Sequence, residues 1–137
     1  MRLLARREHS RAELARKLTA RAEDPAEIER VLDELESRGW LSERRVVEQV
    51  VHSRRTRFGA RRIERELLDK GVSEEAVAAA LPELKKGELE AARAVRARKF
   101  GKLPRSAAER ARQARFLQGR GFGLDVIFKV IKGDDDD

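Results

Sequence analysis

The chain has 137 residues, of which 42% are charged and 4% aromatic, and it contains neither Cys nor Tyr. The absence of Cys excludes disulfides, thiolate metal sites, iron–sulfur clusters and cysteine nucleophiles, while the scarcity of aromatic residues disfavours a thick β-sandwich core. The formal net charge of +7 indicates a polyanion or an acidic protein surface as partner.

The sequence contains no segment typical of membrane insertion or export. No apolar run approaches the roughly 20 residues that span a bilayer, and no apolar stretch of a signal peptide follows Met1. We therefore expect a cytoplasmic protein without a membrane segment. Because the sequence begins directly on apolar helical residues, Leu3 and Leu4, it leaves open an N-terminal extension.

The first helix signals in chain order are two capping boxes. Ser10 is followed by Glu13, and Asp24 is followed by Pro25 and Glu27. In such a box the two side chains satisfy N–H groups that have no partner in the first turn of a helix. Apolar residues then recur every three or four positions, which is typical of amphipathic helices.

Later signals follow the same scheme. Gly39, Gly71 and Gly121 each follow a turn that carries Lys or Arg, as expected of glycines that terminate helices. Ser106 followed by Glu109 is a third capping box. Since no stretch alternates with period two for long enough to indicate a strand, the sequence predicts an all-α fold.

The pattern repeats along the chain. A shift of 49 residues places Leu14 on Ile63 and Leu18 on Leu67, and a further shift of 50 places Leu67 on Leu117. Each copy is interpreted as three helices, the first two joined by a tight turn and the last two by a short link. A unit of this size cannot bury its apolar face alone, so neighbouring units must share a core.

The repeat predicts three three-helix units, residues 1–42, 43–87 and 88–133, followed by a disordered acidic tail, residues 134–137. The third unit holds about eight extra residues after Gly101. Stacked units of this kind are expected to form an elongated, curved body.

The same repeat predicts which residues hold the fold. Ile63, Leu67 and Leu68 are expected in the core of the second unit, and Leu18, Leu67 and Leu117 are expected to be buried in their own units. Trp40 is expected to be largely buried at the junction of the first two units. The predicted structural residues are Trp40, Leu67, Gly71, Leu117 and Gly121.

Basic residues concentrate in two segments. Residues 54–65 carry six arginines and one acidic residue, and residues 93–120 carry ten basic residues and one acidic residue. A solvated face is the competing interpretation, but like charges at this density destabilise a fold that has no anionic partner. Equivalent elements of a tandem array face the same side, so both segments are expected to form one basic surface. Its predicted members are Arg54, Arg55, Arg57, Arg61, Arg62, Arg65, Lys70, Arg98, Lys99, Lys102, Arg105, Arg112, Arg115 and Arg120.

A helix-turn-helix DNA reader is a second interpretation of the basic helices. Such a reader directs Arg, Asn, Gln or Ser at base edges from the start of its recognition helix. The third helix of the second unit, EEAVAAAL, is acidic and rich in Ala. Sequence-specific readout is therefore disfavoured, whereas nonspecific contact with phosphates is not.

Catalytic and cofactor motifs are absent from the sequence. His9 and His52 lie in different units and lack the spacing of a metal site. The glycines occur singly, so they form no phosphate-binding loop. We predict no enzyme, no catalytic or metal residue and no cofactor.

Three segments carry a recognisable pattern, and they are GWLSERR at 39–45, FGARRIERELLDKGV at 58–72 and RFLQGRGFGLDVIFKVI at 115–131. They resemble the RecX family, bacterial regulators of the RecA recombinase. The resemblance covers nearly the entire chain. Val46 and Val50 depart from the pattern, because the family usually has aromatic residues there.

The resemblance implies three tandem three-helix repeats and a regulator that binds the RecA–DNA filament. It also implies inhibition of the recombination, ATPase and SOS-coprotease activities of that filament. We expect a monomer whose arginines pair with acidic groups of the filament or with phosphates of single- or double-stranded DNA. A nonspecific DNA-binding helical module is the alternative, and the sequence leaves capping, groove blocking and active disassembly open as mechanisms.

Overall fold

The computed structural model describes residues 10–21, 24–39 and 41–132. These residues form eight α-helices and no strand, so the predicted all-α class is confirmed. No helix within these ranges has the length and apolar character needed to cross a membrane. Trp40 and the acidic tail lie outside the described residues, and the expectations for them stay predictions.

The helices follow one another with short connections. In chain order they are α1 Arg11–Ala20, α2 Pro25–Ser37, α3 Glu43–Arg54, α4 Ala60–Asp69, α5 Glu74–Lys86, α6 Glu88–Phe100, α7 Ala107–Gly119 and α8 Leu124–Lys132.

The chain divides into two compact units. The first comprises the described residues within 1–50 and 66–79, and the second comprises those within 51–65 and 80–137. The division falls within α3, α4 and α5. Each unit therefore combines elements from more than one of the sequence repeats.

An apolar cluster between α1 and α2 forms the core of the first unit. Leu14, Ile28, Leu32 and Leu41 are buried there, with Leu18 half-buried beside them. Leu18 was predicted to be buried like Leu67 and Leu117, but it lies at the margin of this cluster. The prediction is confirmed for the other two, since both are 0% exposed.

The prediction that Leu68 is a core residue is wrong. Leu68 is 43% exposed, whereas its neighbour Leu67 is completely buried. Successive residues of an α-helix point about 100° apart, so both side chains cannot face the same core. Val46 and Val50, which replace the aromatic residues of the family pattern, are both buried.

The second unit has its own apolar core. Ala92, Val95, Leu117, Phe122 and Ile127 are buried in it. These residues come from α6, α7, α8 and the connection between α7 and α8. The core therefore fixes the last three helices against one another by burial of apolar surface.

Two of the three predicted capping boxes have a capping hydrogen bond. The hydroxyl of Ser10 accepts from the Glu13 N–H at 3.0 Å, and that of Ser106 accepts from the Glu109 N–H at 3.1 Å. The side chain of Asp24 makes no such bond, although α2 begins directly after it with Pro25. There the fixed φ of proline supports the helix start without a side-chain cap.

The connections after α4 and α7 pack on the start of an earlier helix in a recurring way. In the first unit the Ser10 hydroxyl donates to the Lys70 carbonyl. In the second unit the Gly59 N–H donates to the Arg120 carbonyl at 2.8 Å. Ser10 and Gly59 are equivalent positions of the repeat, as are Lys70 and Arg120, so the repeat includes this contact as well as the helices.

Gly71 and Gly121 make this close packing possible. Both have positive φ, 85° and 88°, which L side chains rarely adopt. A Cβ on Gly121 would also collide with the backbone and Cβ of Arg62, and one on Gly71 would collide with Ala12. The predicted structural role of both glycines therefore has two causes, backbone conformation and close approach.

A buried Gln holds the extra residues of the third repeat. Gln113 is 3% exposed at the position where the second repeat has Ile63. Its side-chain Nε2 donates to the Lys102 carbonyl at 3.1 Å, and the Arg105 N–H donates to the Glu109 carboxylate at 3.0 Å. The segment between Gly101 and Ser106 is thus bonded to α7 at two points.

The first unit also contains an ion-pair network around Arg11. The guanidinium lies 2.7 Å from Asp33, 2.6 Å from Glu36 and 2.6 Å from Glu29. Hydrogen bonds, above all that to Asp33, raise the pKa of Arg11 above its ordinary value even though partial burial lowers it. This arginine is therefore satisfied within the fold and joins α1 to α2.

Candidate anion-binding interface

Three arginines gather around the ring of Phe58 in the second unit. The guanidinium carbons of Arg62, Arg120 and Arg57 lie 4.5, 5.1 and 5.9 Å from the ring centroid. Phe58 lies in the connection between α3 and α4, Arg62 lies on α4, and Arg120 follows α7. Cation–π attraction at such distances stabilises each arginine over the ring. We call these three residues the arginine cluster.

A second ring continues the arrangement. The guanidinium carbon of Arg120 is 5.2 Å from the centroid of Phe116, and the Lys99 ammonium is 5.3 Å from it. Phe100 packs its ring at 90° to Phe116 with 5.5 Å between centroids. Arg120 therefore contacts two aromatic rings, Phe58 and Phe116, and connects them.

Lys99, Phe116 and Arg120 also line a cleft of about 190 Å³, which we call the basic cleft. Its polar lining consists entirely of cations, and its apolar lining consists of one aliphatic side chain and one ring. The lining residues are Arg57, Arg98, Lys99 and Arg120 with Val95 and Phe116. A concave site with cations and no carboxylate in its lining is suited to bind an anion.

Backbone carbonyls fix the stacked arginines. One Nη of Arg62 donates to the Gly119 carbonyl at 3.4 Å, and one of Arg120 donates to the Arg57 carbonyl at 3.3 Å. Because a guanidinium has several N–H donors, a single bond of this kind leaves most of them for a ligand. The arginines are thus oriented before a ligand binds.

The electrostatic state of the site is unusual. Within the described ranges, the structure records no ion pair for Arg57, Arg62, Arg98, Lys99 or Arg120. Like charges held this close repel one another, and a bound polyanion relieves the repulsion. This electrostatic repulsion therefore raises the free energy of the unbound protein, and a bound anion would offset it.

The local sequence explains why the cluster forms. Gly59 and Gly121 allow the connection after α7 to approach the start of α4, with the Arg61 N–H donating to the Gly121 carbonyl at 3.2 Å. Glu88 supports the same junction, since its buried carboxylate accepts from the Ala60 N–H at 3.1 Å. This packing places Arg120 beside Phe58.

The structure brings together five of the predicted basic residues, the four of the basic cleft and Arg62. Arg61 instead borders a separate cleft of about 420 Å³ that also contains Glu64 and Glu88. Lys70 belongs to the first unit, where its ammonium lies 3.8 Å from the buried Glu13 carboxylate. The remaining predicted residues do not line the basic cleft, and they are Arg54, Arg55, Arg65, Lys102, Arg105, Arg112 and Arg115.

Phe58 and Phe116 are the site residues that sequence reasoning missed. They belong to a set of only five phenylalanines, and Phe100 also lies at this site. A signal for Phe58 and Phe100 was present, since Arg57-Phe58-Gly59 resembles Lys99-Phe100-Gly101 in a chain with few aromatics.

The described residues contain no candidate metal site. No group of His, Asp and Glu there has the geometry to hold a metal ion. His52 is exposed near the end of α3, and His9 lies outside the described residues. The basic cleft is therefore the candidate site.

Comparison with known families gives one consistent result. Models described as the first, second and third three-helix domains of RecX match residues 1–35, 42–81 and 87–131. These matches cover most of the chain. The chain belongs to the RecX family.

Relatives in the RecX family match along nearly the whole chain. The regulatory protein RecX of Leptothrix cholodnii is 54% identical over 132 residues, which cover 96% of this chain and 84% of that protein. The regulatory protein RecX of Ralstonia nicotianae is 45% identical over 132 residues, which cover 96% of this chain and 83% of that protein. Both relatives are named as regulatory proteins and not as enzymes.

A solved RecX structure supports the fold. The crystal structure of RecX from Lactobacillus salivarius aligns with a TM-score of 0.79 and 18% identity, covering 96% of this chain and 88% of that chain. At this identity the likeness concerns the fold alone. The resemblance stated from the sequence is confirmed, as is the presence of three three-helix domains. The predicted bounds of the units and the roles of the basic residues are not tested by these comparisons.

Proposed function

We propose that this protein regulates the RecA recombinase by binding the RecA–DNA filament and inhibiting its recombination, ATPase and SOS-coprotease activities. Membership of the RecX family and the regulatory names of its relatives support this proposal. The protein would act in the cytoplasm, as a monomer and without catalysis or a cofactor. The filament is a large polyanion, so it fits a chain with a net charge of +7.

The observation that carries the proposal is the basic cleft with the arginine cluster beside it. Five cations from α4, α6 and two connections converge there, and none of them has an ion pair among the described residues. Acidic side chains of the filament or exposed DNA phosphates would supply the missing anions. Binding there would compete with contacts that the filament needs during strand exchange.

A simple nonspecific DNA-binding module is the second candidate function. The same cations favour it, since they can bind phosphates. The lining of the cleft contains no Asn or Gln to read base edges, so this binding would not depend on sequence. Such a module would bind naked DNA as well as it binds the filament. Its affinity would fall steeply with added salt, since phosphate contacts release counterions.

A pull-down with three baits separates the two functions. The baits are recombinase without DNA, naked DNA and the assembled filament, each presented at the same ionic strength. The proposed function predicts strongest capture by the filament and measurable capture by recombinase alone. Equal capture by naked DNA and filament, with none by recombinase alone, would instead establish the DNA-binding module.

A charge-reversed variant links this activity to the cleft. Changing Arg57, Arg98 and Arg120 to Glu should abolish capture by the filament while leaving the helix content unchanged, because Arg57 and Arg98 are exposed and the half-buried Arg120 lies outside the apolar core. The matched control changes Lys86, Arg110 and Lys129 to Glu, since these are exposed cations of the same unit that do not line the cleft. Equal loss in both variants would show that only net charge matters.

A further inference from the structure

The rings of the site have a role that charge alone does not explain. Phe58 is only half-buried, yet all three members of the arginine cluster lie over it. A ring at this place contributes no charge to an anion-binding surface. What it does contribute is a flat support that restricts the positions of three long side chains.

Stacking fixes the direction in which a guanidinium can bind. When its face lies on a ring, its N–H donors point outward in the plane of the guanidinium. For Arg120, the proximity of two rings and a bond to the Arg57 carbonyl restrict the side chain further. The entropy lost when an anion orders a free arginine is thus largely removed in advance.

The shape and charge of the cleft favour one class of anion. Four cations from α6 and the connections after α3 and α7 converge on about 190 Å³. A planar carboxylate pairs well with one guanidinium, whereas the oxygens of a tetrahedral phosphate accept from several directions at once. A nucleic-acid strand also presents one anion at every nucleotide, so it can neutralise neighbouring cations such as Arg62 as well.

We propose that the basic cleft is a binding site for the phosphodiester backbone of single-stranded DNA, and that Phe58 and Phe116 are its positioning residues. The rings hold the arginines, and the arginines contact the phosphates without reading the sequence. This assignment rests on the proposed function, because it names the part of the RecA–DNA filament that the cleft contacts. It goes further in making affinity depend on two uncharged side chains.

The test is the binding of a fluorescent oligothymidylate by fluorescence anisotropy over a range of salt concentrations. The variants are F58L, which removes the ring without changing charge, and F58W, which restores an aromatic face. We expect F58L to bind about three- to tenfold more weakly, as loss of cation–π support implies. F58W should recover most of the affinity, and all variants should keep the melting temperature of the wild type.

The salt dependence of oligothymidylate binding separates the loss of a positioning ring from the loss of a positive charge. F58L should keep the slope of log affinity against log salt, since the number of phosphates neutralised is unchanged. R120Q should reduce that slope by about 0.7, the value for one phosphate contact on a single strand. R120Q also tests the phosphate site if F58L fails to fold. F116L is a weaker test of positioning because Phe116 packs against the core.

Three outcomes would each contradict a different part of the proposal. If F58L bound oligothymidylate as tightly as the wild type, or if F58W failed to recover binding, the positioning role would be overturned. If R120Q kept both affinity and slope, the phosphodiester site would be overturned. If the variants lost binding to recombinase without DNA and kept binding to oligothymidylate, the cleft would be a site for an acidic protein surface, and the proposed regulation of the filament would still stand.

Discussion

At the scale of single residues, function and folding are assigned to different side chains of the same helix. On α4, Leu67 is 0% exposed, whereas Arg62 stacks on Phe58 and Arg61 borders the larger, mixed-charge cleft. The apolar spacing of this helix was sufficient to predict burial of Leu67. It was not sufficient to separate Arg61 from Arg62, because that difference depends on the distant residues that pack beside each one.

Leu67 and Leu68 form a matched pair for testing the core assignment. L67A should lower the free energy of unfolding by about 2–5 kcal/mol, because it leaves a cavity in a closed site. L68A should change it by less than about 0.5 kcal/mol, since that side chain is 43% exposed. Urea denaturation followed by circular dichroism measures both, and equal losses in the two variants would contradict the assignment.

The arginines of α4 should contribute unequally to filament binding. R62E removes a member of the arginine cluster and should weaken filament binding strongly, whereas the double variant R61E/R65E should weaken it less despite its larger change of charge. Reversal of all three should therefore owe most of its effect to Arg62. Titration of each variant against assembled filament at fixed salt gives the comparison. A greater loss in the double variant would place the interface elsewhere on the helix.

At the scale of elements, the sequence predicts the junctions between repeats only in part. The glycines at the ends of α4 and α7 were predicted as helix stops, and their positive φ confirms this. Their packing against the start of an earlier helix involves residues about 60 positions apart, such as Ser10 and Lys70. Local helix signals carry no information about such a contact, so only the three-dimensional structure reveals it.

Gly101 provides the control for the junction at Gly121. Both have positive φ, but a Cβ on Gly101 would meet nothing within 4 Å, while one on Gly121 would collide with Arg62. G101A should cost about 1–2 kcal/mol for backbone strain alone. G121A should cost roughly 1–3 kcal/mol more, because the junction must shift. Thermal unfolding measures both, and similar melting temperatures for the two variants would contradict the close packing.

Gln113 tests the role of the extra residues in the third repeat. One acceptor, Oε1, has no hydrogen-bond partner among the described residues. Q113L therefore removes the unfavourable free energy of burying an acceptor that makes no hydrogen bond. We expect unchanged or higher global stability, within about 1 kcal/mol. The segment between Gly101 and Ser106 should nevertheless become more mobile, because one of its two bonds to α7 is lost. Amide hydrogen exchange in this segment is the measurement, and unchanged protection there would contradict the anchoring role.

At the scale of the whole molecule, the sequence was sufficient to predict the all-α class, the repeat and the family. Each depends on many weak signals that agree along the chain, such as caps, glycines and apolar spacing. The candidate site was predicted only as a broad basic surface of fourteen residues, of which five meet around Phe58 and Phe116. Composition reveals how much charge there is, whereas the position of each charge depends on tertiary packing.

Inhibition of recombinase-driven strand exchange tests directly whether the basic cleft carries the regulatory activity. The variant with Arg57, Arg98 and Arg120 changed to Glu is compared with the control that changes Lys86, Arg110 and Lys129, after circular dichroism has shown that both fold. We expect the cleft variant to need at least about tenfold more protein for half-maximal inhibition, while the control stays close to the wild type. Equal inhibition by the cleft variant and the wild type would contradict it.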